Sequence, residues 1–347
     1  MKIAGAIAAF SIAVAASFAG AVSGHAQTMA DLAQYSGPDR TQRLIGGAKK
    51  EGAVTLYSSA VVADSNAIIE AFTKKYGVPV RLWRGSSEDI LRRAVTEARG
   101  NRYDADVAET AGTEMEGLDR EKLLAEVASP VFSQLVPQAV VPHRGWVTDR
   151  LSIFTAAYNT TVIHPEEAPK SYEDLVDPKW KGKLGLEADD ANWFMAIADR
   201  MGEAKAVALF RKIVATNGMS LRKGHTLLSN LVVAGEVPLG LSVYGYRVTE
   251  LKRRAAPIDG VVLPPGLALP TGIAAFNKAP HPNAALLFMD FYLTEGERIL
   301  AERGNVPTNR TVQELPPGIS FVNVAQFLDQ EDKWTKLFKQ TFAGGGR

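Results

Sequence analysis

Hydroxyl side chains follow the ends of several short apolar runs in the first third of the chain. The carboxyl ends of parallel strands meet at one edge of a sheet, where the following helices present unpaired backbone amides and a partial positive charge. Hydroxyl and amide donors collected there can hold a small polar or anionic ligand. Serine is also a preferred N-cap residue, so helix capping is the competing interpretation at each position. The residues concerned are Ser58, Ser59, Ser86, Ser87 and Thr110.

A second group of polar and aromatic side chains occupies similar positions further along the chain. Its members precede predicted helices or lie at a strand-to-helix turn, and they are Asp189, Asn192, Thr226, Tyr244 and Tyr246. The two tyrosines alternate as strand residues do, so packing in the core is an equally good interpretation for them. We expect both groups to face one ligand.

Three further charged residues lie near these positions, namely Arg84, Glu109 and Arg247. A basic run such as Lys252 to Arg254 is usually a solvated face. The sequence leaves open whether any of the three reaches a ligand.

The elements that must position the first group read as alternating helices and strands. The segments 53–57, 78–83 and 105–110 are short, apolar and rich in β-branched residues, which is typical of buried strands. Helical patterns cover 39–50, 64–76 and the residues after Ser86, where Ser86 and Asp89 fit a capping box. This order predicts a parallel α/β sheet with right-handed crossovers.

The second half of the chain repeats this order without repeating the sequence. Strands are predicted at 151–159, after Lys183 and at 237–246, with helices near Asn192, at 224–236 and at 281–303. Segments 151–159 and 260–276 are expected to cross between two lobes. The predicted organisation is lobe 1 at 27–150 and 263–310, lobe 2 at 151–262, and a C-terminal helical segment at 311–347 that packs on the lobes.

The N-terminal sequence and the composition predict an exported protein. Lys2 is followed by an apolar run that ends in small residues, and Gly24-His25-Ala26 predicts cleavage of a signal peptide at 1–26. The chain has no cysteine, which excludes disulfides and an acylated N-terminal cysteine. Removal of Lys2 leaves 38 of the 39 basic residues against 38 acidic ones, so we expect no nucleic-acid partner. A soluble periplasmic protein is predicted.

Five segments together resemble a known family. KKEGAVTLYSS, YDADVAET, DPKWKGKLGLEADD, AGEVPLGLSVYGY and GIAAFNKAPHPNAALLFMDFYLTEGE are similar to periplasmic solute-binding proteins of ABC importers, in the branch that includes ferric-ion-binding proteins. The resemblance implies a type II periplasmic-binding fold whose two α/β lobes close over a ligand. It also implies a permease and an ATPase as partners, and we expect a monomer.

The ferric site of that family transfers incompletely to this chain. The resemblance implies two consecutive tyrosines, whereas here Gly245 separates Tyr244 from Tyr246, and the first strand end has no histidine. Glu109 could match a carboxylate ligand. Because a hard trivalent ion needs several anionic oxygens, we favour a small organic anion or polar solute, and ferric iron is the alternative.

Motifs of catalysis are missing from the sequence. There is no G-x-S-x-G, H-E-x-x-H, P-loop or G-x-G-x-x-G, so we expect a binding protein without enzymatic activity, cofactor or resident metal. Ser242 with His225 and Asp189 is the weaker hydrolase alternative.

Overall fold

A computed structural model describes residues 28–342, so the predicted signal peptide at 1–26 lies outside the described residues. The helices are α1 Met29–Gln34, α2 Arg40–Glu51, α3 Val62–Tyr76, α4 Ser87–Arg99, α5 Gly112–Arg120, α6 Ala191–Met201, α7 Glu203–Asn217, α8 His225–Ala234, α9 Gly245–Arg253, α10 Pro282–Phe291, α11 Glu297–Glu302, α12 Val324–Asp329 and α13 Glu331–Phe342. In the described part of the chain, none of them is long and apolar enough to cross a membrane.

The strands form one continuous sheet in the order β2-β1-β3-β9-β4-β7-β5-β6, with β8 and β10 on β4 and β11 on β9. Their bounds are β1 Val54–Ser58, β2 Val80–Arg84, β3 Val107–Ala111, β4 Val147–Asn159, β5 Leu184–Glu187, β6 Ser220–Arg222, β7 Leu239–Tyr244, β8 Ile258–Val261, β9 Gly266–Ala275, β10 Val306–Pro307 and β11 Ile319–Phe321. Strands β2, β1 and β3 run parallel, as do β6, β5 and β7. The α/β fold with two parallel groups of strands confirms the fold predicted from the sequence.

Strand β4 connects the two groups. Residues 147–153 pair with β9, whereas 154–159 pair with β7 and β8. The pairing register shifts between Thr148 and Arg150 against β9, and again between Thr155 and Ala157 against β7. One strand therefore belongs to both lobes and carries an irregularity on each side of the crossing.

Local sequence signals explain where the first helices begin and end. Ser86 accepts a hydrogen bond from the Asp89 amide at 3.1 Å, and the Asp89 carboxylate accepts one from the Ser86 amide at 3.3 Å. The capping box expected from the sequence is thus confirmed. Helix α3 ends at Gly77 with φ of +71°, a conformation that glycine adopts without the Cβ strain of other residues.

Several element bounds differ from the sequence expectations, and three of these differences change the assignment of an element. The strand expected at 237–246 ends at Tyr244, because α9 starts at Gly245. The segment 260–276 contains two strands, since β8 pairs with β4 and β9 begins only at Gly266. The helix expected at 281–303 is interrupted by a π-helical segment at Tyr292–Gly296.

A buried ion network lies beside the first irregularity of β4. Arg150 Nη2 is 2.6 Å from Glu109 Oε1, and its Nη1 is 2.8 Å from Asp149 Oδ2. The Tyr292 hydroxyl accepts a further hydrogen bond from Arg150 at 3.2 Å. Both carboxylates are fully buried. Burial raises the pKa of Asp149 to about 8, although Arg150 opposes the shift.

Replacement of Arg150 by methionine is expected to lower the free energy of unfolding by about 3–5 kcal/mol, because Glu109 then remains buried without its counter-charge. Urea denaturation followed by circular dichroism measures the change. Lys75→Met is the control, since it removes an ion pair with Glu295 in which both side chains are more than 40% exposed, and such pairs contribute about 0–1 kcal/mol. Equal effects of the two substitutions would contradict the assignment of the network.

Candidate ligand-binding cleft

The carboxyl ends of the parallel strands bring the predicted site residues to two edges. In lobe 1, β1 ends at Ser58 and β3 ends at Ala111, directly before α5. In lobe 2, β5 ends at Glu187 and β7 ends at Tyr244. Helices α3, α6 and α9 start within a few residues of these strand ends. The strand ends therefore lie where ligands bind in open α/β sheets.

Ser58 is buried and takes part in the ion network. Its hydroxyl donates a hydrogen bond to Glu109 Oε2 and accepts one from the Ala60 amide at 3.0 Å. The Ala60 amide also donates to Glu109 Oε2 at 3.3 Å. Here the Ser58 hydroxyl fixes the turn after β1, so its ligand contact stays a prediction.

Ser59 and Ser87 keep their side chains available. Both are partly exposed, and within residues 28–342 neither hydroxyl makes a hydrogen bond. The Ser59 amide donates to the Glu109 carbonyl at 3.0 Å, which holds the residue against β3. Of the hydroxyl groups predicted to contact a ligand in lobe 1, these two are accessible and make no hydrogen bond among the described residues.

Ser86 and Thr110 have different surroundings. Ser86 is exposed and caps α4, as described above. Thr110 is fully buried in β3 opposite Gly272, and its Oγ1 has no hydrogen-bond partner among the described residues. Capping accounts for Ser86, whereas nothing in the described structure satisfies the Thr110 hydroxyl.

The acidic pair after β5 has one exposed and one buried member. Asp189 is exposed and lies 3.6 Å from Lys223, whereas Asp190 is 4% exposed. Asn192, in the first turn of α6, accepts a hydrogen bond from the Trp193 amide at 2.6 Å. Thr226 is exposed in the first turn of α8. The buried carboxylate at this edge is thus Asp190, whereas the sequence analysis named its exposed neighbour Asp189.

Three aromatic rings are stacked beside these carboxylates. The His225 ring centroid is 4.0 Å from that of Tyr244, and the Tyr244 centroid is 5.8 Å from that of Tyr246. Burial raises the pKa of Tyr244 well above its ordinary value and also raises the pKa of Tyr246. Both phenols are therefore neutral at physiological pH and act as hydrogen-bonding groups.

A cluster of potential metal ligands lies next to this stack. The cluster consists of Glu187, Asp190 and His225. Each residue offers one ligand atom, and these three atoms lie within 4.8 Å of one another. The sequence analysis did not include Glu187, since a lone acid at the end of a strand carries no signal of its own.

A cavity of about 460 Å³ opens between the start of α3 and helix α9. Tyr246 and Arg247 contribute to it from α9, together with Glu250, Arg253 and Arg254. The opposite wall contains Val61, Ala63 and Asp64 at the start of α3, followed by Glu302, Arg303 and Asn305. Elements from both lobes thus line a pocket that is rich in arginine.

Residues 67–326 match a family model described as bacterial extracellular solute-binding protein. The chain belongs to this family. Its members are binding proteins, and this protein is a periplasmic solute-binding component of ABC import. Solute-binding proteins of this class bind small ligands and work with a permease and an ATPase.

Relatives that are named for different ligands support the same family assignment. The chain is 28% identical to a Fe(3+)-binding periplasmic protein of Serratia marcescens over 181 residues, which cover 51% of this chain and 52% of that protein. It is 27% identical to a putative 2-aminoethylphosphonate-binding periplasmic protein of Salmonella typhimurium over 262 residues, covering 71% and 75% of the two chains. The iron-bound HitA structure from Pseudomonas aeruginosa superposes with a TM-score of 0.70 at 23% identity, covering 83% of this chain and 99% of HitA.

The residues considered for a hydrolase do not form a proton relay in this solute-binding protein. Ser242 is buried, and its hydroxyl accepts a hydrogen bond from the Glu187 amide at 3.2 Å. His225 Nδ1 lies 3.0 Å from the carbonyl of Ser242 rather than from its hydroxyl. Asp189 is turned towards Lys223. The arrangement lacks the nucleophile-to-base hydrogen bond that triad chemistry needs.

Glu114, in the first turn of α5, generates a prediction for pH dependence. Burial raises its pKa to about 7 from an ordinary value of 4.5, and Glu88 and Glu331 add to the shift. The folded state therefore holds this proton more tightly than the unfolded state. The stability associated with the protonated form is present below about pH 4.5 and is lost as the pH rises through about 7.

Glu114→Gln is expected to remove this loss and to be more stable than the parent at pH 8 by on the order of 2 kcal/mol. The difference should shrink towards pH 4.5. Denaturant unfolding across this pH range measures the difference. Glu121→Gln is the control, because Glu121 is exposed at the end of the same helix, α5. A constant offset between Glu114→Gln and the parent at every pH would count against the prediction.

Proposed function

We propose that the protein captures a small organic anion, of the phosphonate, phosphate ester or carboxylate class, and delivers it to an ABC permease and ATPase. The observation that carries this proposal is the cavity between α3 and α9. Four arginines line it, namely Arg247, Arg253, Arg254 and Arg303. The Salmonella relative, whose name specifies a phosphonate ligand, supports the same ligand class.

The carboxylates of the cavity leave part of its positive charge without a partner. Glu250 pairs with both Arg247 and Arg254, so one carboxylate serves two guanidinium groups. Arg247 Nε is buried and has no hydrogen-bond partner among residues 28–342. A buried donor without an acceptor is costly, and an oxyanion in the cavity would supply the acceptor.

Arg253 and Arg303 show how the rest of the charge is distributed. Arg303 pairs with Asp64, whereas Arg253 donates a hydrogen bond to the carbonyl of Glu302 at 3.4 Å. A carbonyl oxygen does not neutralise a guanidinium group. Arginine binds carboxylate and phosphate groups through two parallel N–H donors, which suits an anion that approaches Arg253.

The start of α3 adds backbone donors to the same cavity. This helix has 15 residues, and its N-cap residue, Val61, has no side chain that could cap it. Val61, Ala63 and Asp64 line the cavity. The amides of a first helical turn and the helix dipole favour an anion at this end.

The hydroxyl wall stays part of the proposal. Ser58, Ser59, Ser87 and Thr110 from lobe 1, with Thr226, Tyr244 and Tyr246 from lobe 2, are proposed to face the ligand. Tyr246 links this wall to the arginine cavity because it lines the cavity and stacks on Tyr244. We infer that the lobes, with the boundaries expected from the sequence, close over the ligand and that the protein acts as a monomer without turnover.

Ferric iron is the second candidate, because the Serratia relative and the Pseudomonas structure carry iron in their names. Tyrosinate ligation needs phenols that lose their protons readily. Burial raises the pKa of both Tyr244 and Tyr246, and Gly245 separates them in sequence. These features favour the organic anion.

Calorimetric titration of the mature protein with 2-aminoethylphosphonate, sugar phosphates and dicarboxylates tests the proposal. We expect saturable binding of one class, weakened roughly ten- to a hundredfold in Arg247→Gln, because a hydrogen bond to a charged group contributes about 1.5–3 kcal/mol. Arg200→Gln is the control, since Arg200 is exposed at the end of α6. Absence of anion binding together with a coloured, stoichiometric ferric complex would replace the proposal with the iron alternative.

Two serines separate ligand contact from capping. Ser59→Ala is expected to weaken binding by about tenfold with little change in melting temperature, since its hydroxyl makes no hydrogen bond within the described chain. Ser86→Ala is expected to do the reverse and to lower stability by about 1 kcal/mol through loss of the α4 cap. Titration and thermal melting of both variants give the answer. Unchanged affinity in Ser59→Ala would remove Ser59 from the wall.

A further inference from the structure

Glu187, Asp190 and His225 converge from three elements of lobe 2. Glu187 ends β5, Asp190 is the N-cap residue of α6, and His225 begins α8. Their side chains offer one imidazole nitrogen and two carboxylate oxygens within 4.8 Å of one another. None of the three belongs to the proposed anion site.

The hydrogen bond of His225 determines which of its nitrogens is available. Nδ1 lies 3.0 Å from the carbonyl oxygen of Ser242. Because a carbonyl only accepts, Nδ1 carries the proton and donates it there. Ligand histidines commonly hold their tautomer through such a bond to a carbonyl or carboxylate. In the neutral imidazole, Nε2 then presents its lone pair.

A second acceptor lies close to this nitrogen. Nε2 of His225 is 3.4 Å from Oδ1 of Asp190. Two acceptors at this separation attract each other only when a proton or a metal cation lies between them. The geometry therefore calls for a positive charge at this point.

Asp190 supplies a second, independent observation. The residue is 4% exposed, and its other oxygen, Oδ2, has no hydrogen-bond partner within the described structure. Buried carboxylate oxygens are normally satisfied by donors or by metal ions. An unsatisfied oxygen inside a cluster of ligand atoms can bind a cation at the cost of no existing hydrogen bond.

Glu187 is held ready by backbone donors. Its Oε1 accepts a hydrogen bond from the Gly224 amide at 2.8 Å, and its Oε2 accepts one from the Asp189 amide at 2.6 Å. Each carboxylate oxygen has two lone pairs, so one on each oxygen is still available. The two amides fix the carboxylate without filling its capacity for a metal ion.

We propose that Glu187, Asp190 and His225 form a binding site for one divalent transition-metal ion of the Zn²⁺ class. Imidazole and carboxylate ligands suit zinc and neighbouring divalent ions. Three protein ligands leave at least one coordination position for water or another ligand. The site differs from the sequence expectation of no metal. None of its three ligands lines the arginine cavity, although His225 stacks on Tyr244.

Titration of tag-free, chelator-treated mature protein with ZnCl₂ tests the site. We expect one ion per chain, with affinity weakened at least ten- to a hundredfold in Asp190→Asn and in His225→Gln. Asp332→Asn and His164→Gln are matched controls, because both residues are exposed and lie outside the cluster. The controls should bind as the parent does.

A second measurement does not depend on the folding of any variant. Substitution of Co²⁺ into the parent protein should give visible d–d absorption bands that saturate at one equivalent and are displaced by Zn²⁺. Stoichiometric binding that survives both Asp190→Asn and His225→Gln would place the metal elsewhere and overturn the proposal. No saturable binding to the parent would show that a shared proton, rather than a metal, joins Asp190 to His225.

Discussion

The guanidinium group of Arg150 compensates buried negative charge where the two lobes share a strand. Glu109 and Asp149 are fully buried, and both contact this one cation. Burial raises the pKa of Asp149 and so favours its neutral form, while Arg150 supplies the counter-charge of Glu109. Glu109 in turn binds the Ser58 hydroxyl and the Ala60 amide. The turn before α3, and with it one wall of the arginine cavity, therefore depends on this network.

The sequence predicted the fold well where local chemistry determines it. The capping box at Ser86 and the glycine after α3 are short-range signals, and the three parallel strands of lobe 1 are short apolar runs between such signals. The predicted bounds are less accurate where a strand pattern continues across a sharp turn. Gly245 begins α9 although the residues before it continue a strand pattern, because the side-chain pattern alone does not contain the change of backbone direction.

The sequence predicts where the candidate site residues lie along the strands and helices, but it predicts the directions of their side chains much less well. Asp189 and Asp190 are chemically identical neighbours, and only the turn after β5 decides that Asp190 faces inwards. Ser58 lies at the strand end where the sequence places it, yet its hydroxyl is directed at Glu109, a residue 51 positions away. Arg247 was left open for a similar reason, since the burial of its Nε depends on how α9 packs against β4 and β8. Long-range contacts of this kind carry no signal in a single sequence.

The two register shifts in β4 have a mechanical consequence. A bulge leaves one residue unpaired and lets a strand bend while the rest of its ladder stays intact. In β4 the shifts flank the segment between Arg150 and Thr155, where the strand changes partners from β9 to β7. Compliance is thus concentrated at two points along an otherwise stiff ribbon, and Asp149 lies within one of them. Bending of β4 at this point would therefore move Asp149 relative to Arg150, its partner in the buried ion network.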